Sequence, residues 1–368
     1  MKSIIFPGKY VMGRNILGSV GEYTKSLGTN FLVVASKSVM QIAKDKITAS
    51  LSGTEMKAEF VLFGGECSYK EIDRLAECGK AAGCNTVIGI GGGKLLDASK
   101  AAALKLKSPV VIVPTIASTD ASTSALTVVY TEDGVFQDYF WLPANPDVVL
   151  VDTEILCKAP VSYLVAGMGD ALATYFEARA VRASDSKNCA IAAHGRQTIT
   201  AFALGELCYK TLLEDGVKAK LAAEAGVVTT AFENICEANI LLSGLGFESG
   251  GLAAAHSVHN GVTALHQSHG ANHGDKVAFG VLTQLVLENA PMEEIHEVLG
   301  FCASIGLPVT FAEIGLADIT DEELWTWAET TAKEGETIHA MPFEVTAATV
   351  YGALKAANAL GVSFKANN

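Results

Sequence analysis

Apolar runs alternate with amphipathic stretches over the first part of the chain. Phe31–Ala35, Ala58–Phe63, Thr86–Ile90, Val110–Val113 and Val148–Asp152 read as strands, and Thr86–Ile90 is apolar enough to be buried on both faces. Helical periodicity runs from Val39 to Leu51, Glu71 to Ala82 and Lys94 to Leu106. Strands separated by helices of this length predict a parallel sheet covered on both sides. Val128–Tyr130 with Asp133-Gly134 predicts an added antiparallel hairpin. After Pro160 the pattern changes. From Ala166 on, the apolar period stays near ~3.6, alanine is abundant, and strand signals almost vanish. Thr320-x-x-Glu323 ahead of Leu324 and Trp325 fits a capping box. The expected fold is an α/β, Rossmann-like N-terminal domain over residues 1–160, then an all-α domain over 161–368.

Composition narrows what such a chain does. With 368 residues and 49% apolar content it can build two cores. Its 18% charged residues and mean hydropathy of +0.30 point to extensive buried surface and to a homo-oligomer. A net charge of −13 argues against nucleic acid or an anionic membrane as partner. No signal-peptide pattern follows Met1, and the longest uncharged segment, Ser249–Gly274, is too rich in His, Gly and Asn to span a bilayer. The eight cysteines form no C-x-x-C pair, which suits reduced thiols in a cytoplasm and excludes a cysteine-held zinc.

Three segments carry chemistry. Gly89-Ile-Gly-Gly-Gly-Lys94 follows the strongest strand and opens a helix. Glycines permit close backbone approach, and a helix N-terminus offers free N–H groups and partial positive charge to a pyrophosphate. The match to the usual fingerprints is poor, because Lys94 stands where one needs Gly and Leu95 where the other needs Ser or Thr. Asp97 either caps this helix or contacts a ligand hydroxyl. Val113–Ser124, rich in hydroxyls and holding Asp120, follows the next strand, where open α/β sheets place their ligand crevice. Finally, His256, His259, His266, His269 and His273 crowd one stretch of a chain with only eight histidines. Imidazole with carboxylate suits zinc or iron(II), so at least two of the five are expected to bind metal. The carboxylate is expected from Asp170 in Gly167-Met-Gly-Asp170, at a predicted helix start. Spacing does not choose between His256 and His259.

These residues resemble the glycerol dehydrogenases of the iron-containing (group III) alcohol dehydrogenase superfamily, which also includes dehydroquinate synthase. The resemblance spans nearly the whole chain. It rests on Gly91–Lys94 with Asp97, Pro114–Asp120, Asn145–Val148, Gly167–Ala171, Gly250–Gly261 and His273-Gly274. It implies the dehydroquinate synthase-like fold, with metal ligands Asp170, His256 and His273, zinc being usual in the glycerol branch and Fe2+ the alternative. It implies cofactor contacts from Gly92, Gly93, Lys94 and Asp97, with Thr115, Thr119, Ser124, Leu126 and Tyr130 around the nicotinamide. Asp120 would contact substrate hydroxyls and Phe247 would line that pocket. His259 would neighbour the metal without ligating it.

One departure concerns the cofactor. Relatives that use NAD usually carry an Asp just after the strand that here ends in Val34-Ala-Ser-Lys-Ser38. Ser36 and Lys37 remove the carboxylate that would repel a 2′-phosphate and add a cation that would attract one. NAD is the expected cofactor, with NADP as competitor. The implied reaction is oxidation of glycerol or a related 1,2-diol to the hydroxyketone. The alternatives are another polyol or alcohol dehydrogenase and a dehydroquinate-synthase-like lyase. The lyase needs cations for a phosphate and a carboxylate, and no Lys or Arg cluster accompanies the histidines.

Overall fold

The computed structural model describes residues 1–191 and 193–367. The described chain forms two compact units. One comprises Ile5–Ala159 with Gly226–Val228; the other comprises Met1–Ile4, Pro160–Ala225 and the chain from Thr229 on. Hydrogen bonds explain the two exchanges. Arg14 donates to the Val228 carbonyl, and Ser3 pairs its N–H with Arg196 O while its own carbonyl accepts from Asn188.

The α/β unit contains strands β1 (Tyr10–Gly13), β2 (Asn30–Ala35), β3 (Lys57–Leu62), β4 (Thr86–Gly91), β5 (Val110–Pro114), β6 (Leu126–Tyr130), β7 (Phe136–Trp141) and β8 (Val148–Asp152). Its helices are α1 (Val20–Thr24), α2 (Met40–Leu51), α3 (Tyr69–Ala81), α4 (Gly93–Leu106) and α5 (Thr153–Leu156). Six strands form one all-parallel sheet in the order β1-β8-β5-β4-β2-β3. Every residue of β4, β5 and β8 is buried, which is why these runs are apolar without alternation. The chain crosses from β3 over β2 to β4 and then grows the other way. The loops after β2, β4 and β5 therefore leave the carboxyl ends of neighbouring strands at a switch point. The expected hairpin is present as β6 and β7, longer than foreseen and separate from the main sheet. Strand β1 was not foreseen; its four residues are only half-buried and pair along the edge with β8.

The second unit is helical: α6 (Val161–Ser184), α7 (Ile199–Glu224), α8 (Thr230–Glu237), a π-helical turn (Ala238–Leu242), α9 (Ser243–Gly250), α10 (Ala254–Val262), α11 (His273–Leu287), α12 (Met292–Ile305), α13 (Asp321–Thr331) and α14 (Ala347–Asn367). Helix α6 is buried along most of its length, so it is apolar all round rather than striped. It packs against α7, α9 and α11. Thr320 and Glu323 form the expected capping box at α13.

Candidate functional site

A carboxylate inside an apolar helix must find partners or lose its charge. Asp170 is such a group, 2% exposed. Its Oδ1 lies 3.3 Å from His256 Nε2 and 3.1 Å from His273 Nε2, while its Oδ2 has no hydrogen-bond partner. Burial works to raise its pKa, but His273 and His256 outweigh it and hold the carboxyl well below the usual range. Asp170 does not stand at a helix start, as its glycines had suggested. Helix α6 begins at Val161, after Pro160, and Asp170 lies well inside it. Its neighbour Gly169 serves close packing: a Cβ there would meet the Gly274 carbonyl at 2.4 Å, and a Cβ on Gly274 would meet the Ala166 carbonyl at 1.7 Å. This backbone-to-backbone contact of α6 with the first turn of α11 brings His273 to Asp170.

The hydrogen bonds fix which imidazole nitrogens are free. His256 Nδ1 lies 2.6 Å from Glu177 Oε2 and donates to it, so Nε2 is the nitrogen that would bind a cation once it has lost its proton. Burial disfavours a charge on His256, yet Glu177 and Asp170 together hold its pKa well above the ordinary value. On the other side, Asn260 donates its NH2 to Glu336, which turns its Oδ1 toward His259 Nδ1 at 3.2 Å. His259 Nδ1 is then the donor, and its Nε2 accepts from His273 Nδ1 at 2.9 Å. Burial, with His273, Lys276 and His256, holds the His259 pKa well below its ordinary value, so this ring is neutral. His273 Nε2 is thereby the nitrogen that faces Asp170, 3.1 Å from its Oδ1.

Two imidazole nitrogens and a carboxylate thus converge with their possible ligand atoms all within 4.8 Å of one another. A divalent ion at this point would take the place of the proton that Glu177 and Asp170 favour on His256. In a tetrahedral shell with bonds of about 2.0–2.1 Å, neighbouring donors stand about 3.4 Å apart. The two distances to Asp170, 3.1 and 3.3 Å, match that spacing, and the partnerless Oδ2 marks capacity not satisfied by protein. The residues fit a divalent ion. Among the described residues they form the only such cluster. His266 and His269 instead lie against each other with their rings tilted by 37°, and His269 Nε2 engages the Thr263 carbonyl. Phe247 is buried in α9.

In the α/β unit, no side chain caps α4, whose N-cap is Gly92, so the N–H groups of Gly93 and Lys94 at its start have no side-chain acceptor there and suit an anion. The glycines divide their work. A Cβ on Gly91 would meet Leu95 at 2.8 Å, so this one lets α4 pack on its strand, whereas one on Gly93 would meet nothing closer than Thr119 Oγ1 at 3.5 Å. Lys94 pairs with Glu66 at 2.6 Å and lies 4.6 Å from the centre of the Tyr130 ring, so two expected cofactor residues meet. Thr115 donates its N–H to the Gly91 carbonyl. Asp97 does not cap α4. It is buried, accepts from Val128 N–H at 2.9 Å and pairs with Lys100 at 2.9 Å. Burial raises its pKa and Lys100 opposes the rise. Lys100 also donates to the carbonyls of Ala121, Ser124 and Leu126. Asp97, Ser124 and Leu126 are therefore joined through one buried lysine. Asp120 sits half-buried in the turn that Thr123 N–H closes onto its carbonyl. Lys37 is exposed just beyond β2, beside a Ser36–Ser38 hydroxyl contact at 3.0 Å.

Comparison with known proteins decides the family. Residues 7–153 match the model of the iron-containing alcohol dehydrogenases. The glycerol dehydrogenase of Citrobacter freundii is 52% identical over 361 residues, 98% of either chain, and that of Thermotoga maritima is 51% identical over 97% of either chain. The structure of glycerol dehydrogenase from Schizosaccharomyces pombe superposes with a TM-score of 0.93 at 39% identity, covering 100% of this chain and 93% of that one. The chain belongs to the iron-containing alcohol dehydrogenases. This membership implies a nicotinamide-type cofactor and a metal ion.

Sequence reading missed Glu177, Lys100 and Glu66 in this alcohol dehydrogenase. Glu177 lies two turns after Asp170 on the same face of α6, and Lys100 one turn after Asp97 in an alanine-rich helix. Charges spaced by whole turns inside apolar helices were the available signal.

Proposed function

We propose that this chain oxidises glycerol or a related 1,2-diol to the hydroxyketone, passing hydride to NAD, with Asp170, His256 and His273 holding a zinc ion. The single observation that carries the reading is the convergence of three electron-pair donors in a chain 52% identical to a glycerol dehydrogenase over its full length. When bound, zinc supplies Lewis acidity toward an alcohol oxygen. The protein's part is to keep both Nε2 atoms unprotonated and aimed at one point, through Glu177 and through His259 with Asn260.

Gly92, Gly93 and Lys94 take the dinucleotide phosphates, the first two through a glycine backbone and Lys94 through its charge. Thr115, Thr119, Ser124, Leu126 and Tyr130 line the nicotinamide half, and Asp97 acts there by anchoring β6 through Val128. Asp120 and Phe247 contact the diol. A carboxylate at Asp120 favours neutral polyols over phosphorylated or carboxylated substrates by like-charge repulsion, which counts against the lyase. Lys37 is the residue to test for NADP. No helix among the described residues is long and apolar enough to cross a membrane. The eight cysteines are all free, which supports a reducing cytoplasm, and Ile199, Leu207 and Leu221 exposed along α7 support a homo-oligomer.

The test is a panel of glycerol, propanediol, butanediol and simple alcohols, crossed with NAD and NADP at alkaline pH, followed by absorbance of reduced nicotinamide. Glycerol or a vicinal diol with NAD should give the largest kcat/KM. No signal with any diol removes the assignment. His256→Ala should lose zinc and activity together, and a metal-stripped protein that keeps its rate refutes the zinc reading.

A further inference from the structure

Helix α10 starts inside the helical unit, so the N–H groups of its first turn need acceptors there. Two side chains supply them. Gln284 Oε1, from α11, accepts from Ala254 N–H at 3.2 Å and Ala255 N–H at 3.1 Å. Glu177 Oε1, from α6, accepts from Ala253 N–H at 2.9 Å and His256 N–H at 3.0 Å. The difference lies in the third donor. Glu177 Oε2 also takes the His256 ring Nδ1–H at 2.6 Å, and Glu177 is fully buried. Where two donors converge the chain uses an amide; where three converge it uses a carboxylate. An amide has one oxygen, so at position 177 its NH2 would face either the backbone N–H pair or the ring N–H.

From this geometry we infer that Glu177 is a positioning residue that sets how tightly the site holds its cation, by fixing the entry of α10 and the tautomer of His256 with one carboxylate. The inference rests on reading Asp170, His256 and His273 as the cation site. Glu177 makes no contact with the cation's donor atoms other than through His256. Its Oε1 places the His256 backbone and its Oε2 orients the ring, so backbone and side chain of one ligand are fixed from the same group. Partners of this kind typically change metal affinity by about 10–100-fold when removed.

The experiment uses the full-length protein and zinc. Zinc affinity is measured by competition with a chromophoric chelator for wild type, Glu177→Gln, Glu177→Asp and His256→Ala. Spectra of zinc-loaded, 15N-histidine-labelled protein report the ring protons. The Glu177→Gln variant should bind zinc about 10–100-fold more weakly, with Glu177→Asp between it and wild type. In wild type the His256 Nδ1–H resonance should lie far downfield, as a 2.6 Å bond to a carboxylate requires, and move upfield in Glu177→Gln. Zinc affinity within threefold of wild type and an unmoved resonance in Glu177→Gln overturn the inference. Should that variant not fold, the wild-type spectrum decides: absence of a proton on His256 Nδ1 with zinc bound overturns it, and a downfield Nδ1–H sustains it. Retention of zinc by His256→Ala would instead sink the cation-site reading itself, which separates the two failures.

Discussion

Replacing Gly274 with alanine tests whether helix contact builds the metal site. An added Cβ would lie 1.7 Å from the Ala166 carbonyl oxygen, 2.6 Å from its carbon and 3.0 Å from Asp170 N. All three are backbone atoms of α6, so no side chain can swing aside. Reaching even a 3.0 Å contact requires the two helices to part by about 1.3 Å. If that displacement falls on the Asp170–His273 pair, its 3.1 Å separation grows to about 4.4 Å, against about 3.4 Å in a tetrahedral shell. Losing a ligand outweighs losing a partner behind one, so zinc affinity should fall by about 100-fold or more. Overpacking should also destabilise the metal-free protein by ~1–3 kcal/mol. Zinc content after dialysis and urea unfolding of the stripped protein measure the two effects. Gly300→Ala in α12 is the control: nothing lies within 4 Å of its Cβ. It should bind zinc normally and gain about 0.5–1 kcal/mol. A Gly274→Ala protein with wild-type zinc content and stability would refute the account of how His273 reaches Asp170.

Lys100→Met should destabilise the protein by ~3–5 kcal/mol, because it strands the buried Asp97 and three carbonyls; adding Asp97→Leu should recover part of the loss, and urea midpoints showing no recovery would refute the pairing. Glu313 accepts from Val309 N–H, Thr310 N–H and the Thr310 hydroxyl and pairs with Lys365; burial opposes the charge, but these partners lower its pKa below 4.5. A lowered folded-state pKa adds stability that is present above the unfolded value and lost as pH falls through the folded one. Glu313→Gln should therefore cost stability at pH ~7 and much less at pH ~3, and an equal gap at both would count against it. Lys37→Asp should lower kcat/KM with NADP relative to NAD, and an unchanged ratio would remove Lys37 from cofactor choice.

Most of the fold was legible because the parallel sheet needs strands buried on both faces, and such runs stand out without any knowledge of partners. Phe31–Ala35, Thr86–Ile90 and Val110–Val113 all lie within observed strands. Strand β1 escaped because Tyr10–Gly13 sits at the sheet edge, is only half-buried, and carries no periodic signature in four residues. Helix α6 was seen but its start was misplaced. Gly167 and Gly169 look like helix breakers in a one-dimensional reading, since glycine in a helix interior costs about 1 kcal/mol. For Gly169 the reason to accept that cost is the Gly274 carbonyl on another helix, far away in sequence, which no local pattern contains.

The same distinction runs through the site. A histidine cluster and a lone aspartate advertise a metal, because five of the chain's eight histidines crowd one stretch and both residue types are chemically capable. What would make them ligands is which nitrogen is aimed at the site, and that is set by groups whose types advertise nothing. Glu177 looks like one more carboxylate, Asn260 carries no ligand chemistry of its own, and Glu336 lies in a segment with no motif. Their meaning appears only when donors are counted in three dimensions. His256 Nδ1 and two backbone N–H groups engage both oxygens of Glu177, and Glu336 turns Asn260 so that His259 Nε2 is left to accept from His273. Each chain of assignments ends at the Nε2 that faces Asp170. A metal centre is thus specified as much by where protons cannot be as by which side chains surround it. This explains why residue identity alone left His256 and His259 indistinguishable, while their hydrogen bonds separate them: His259 Nε2 is occupied by His273, and His256 Nε2 is not occupied by any neighbour but Asp170.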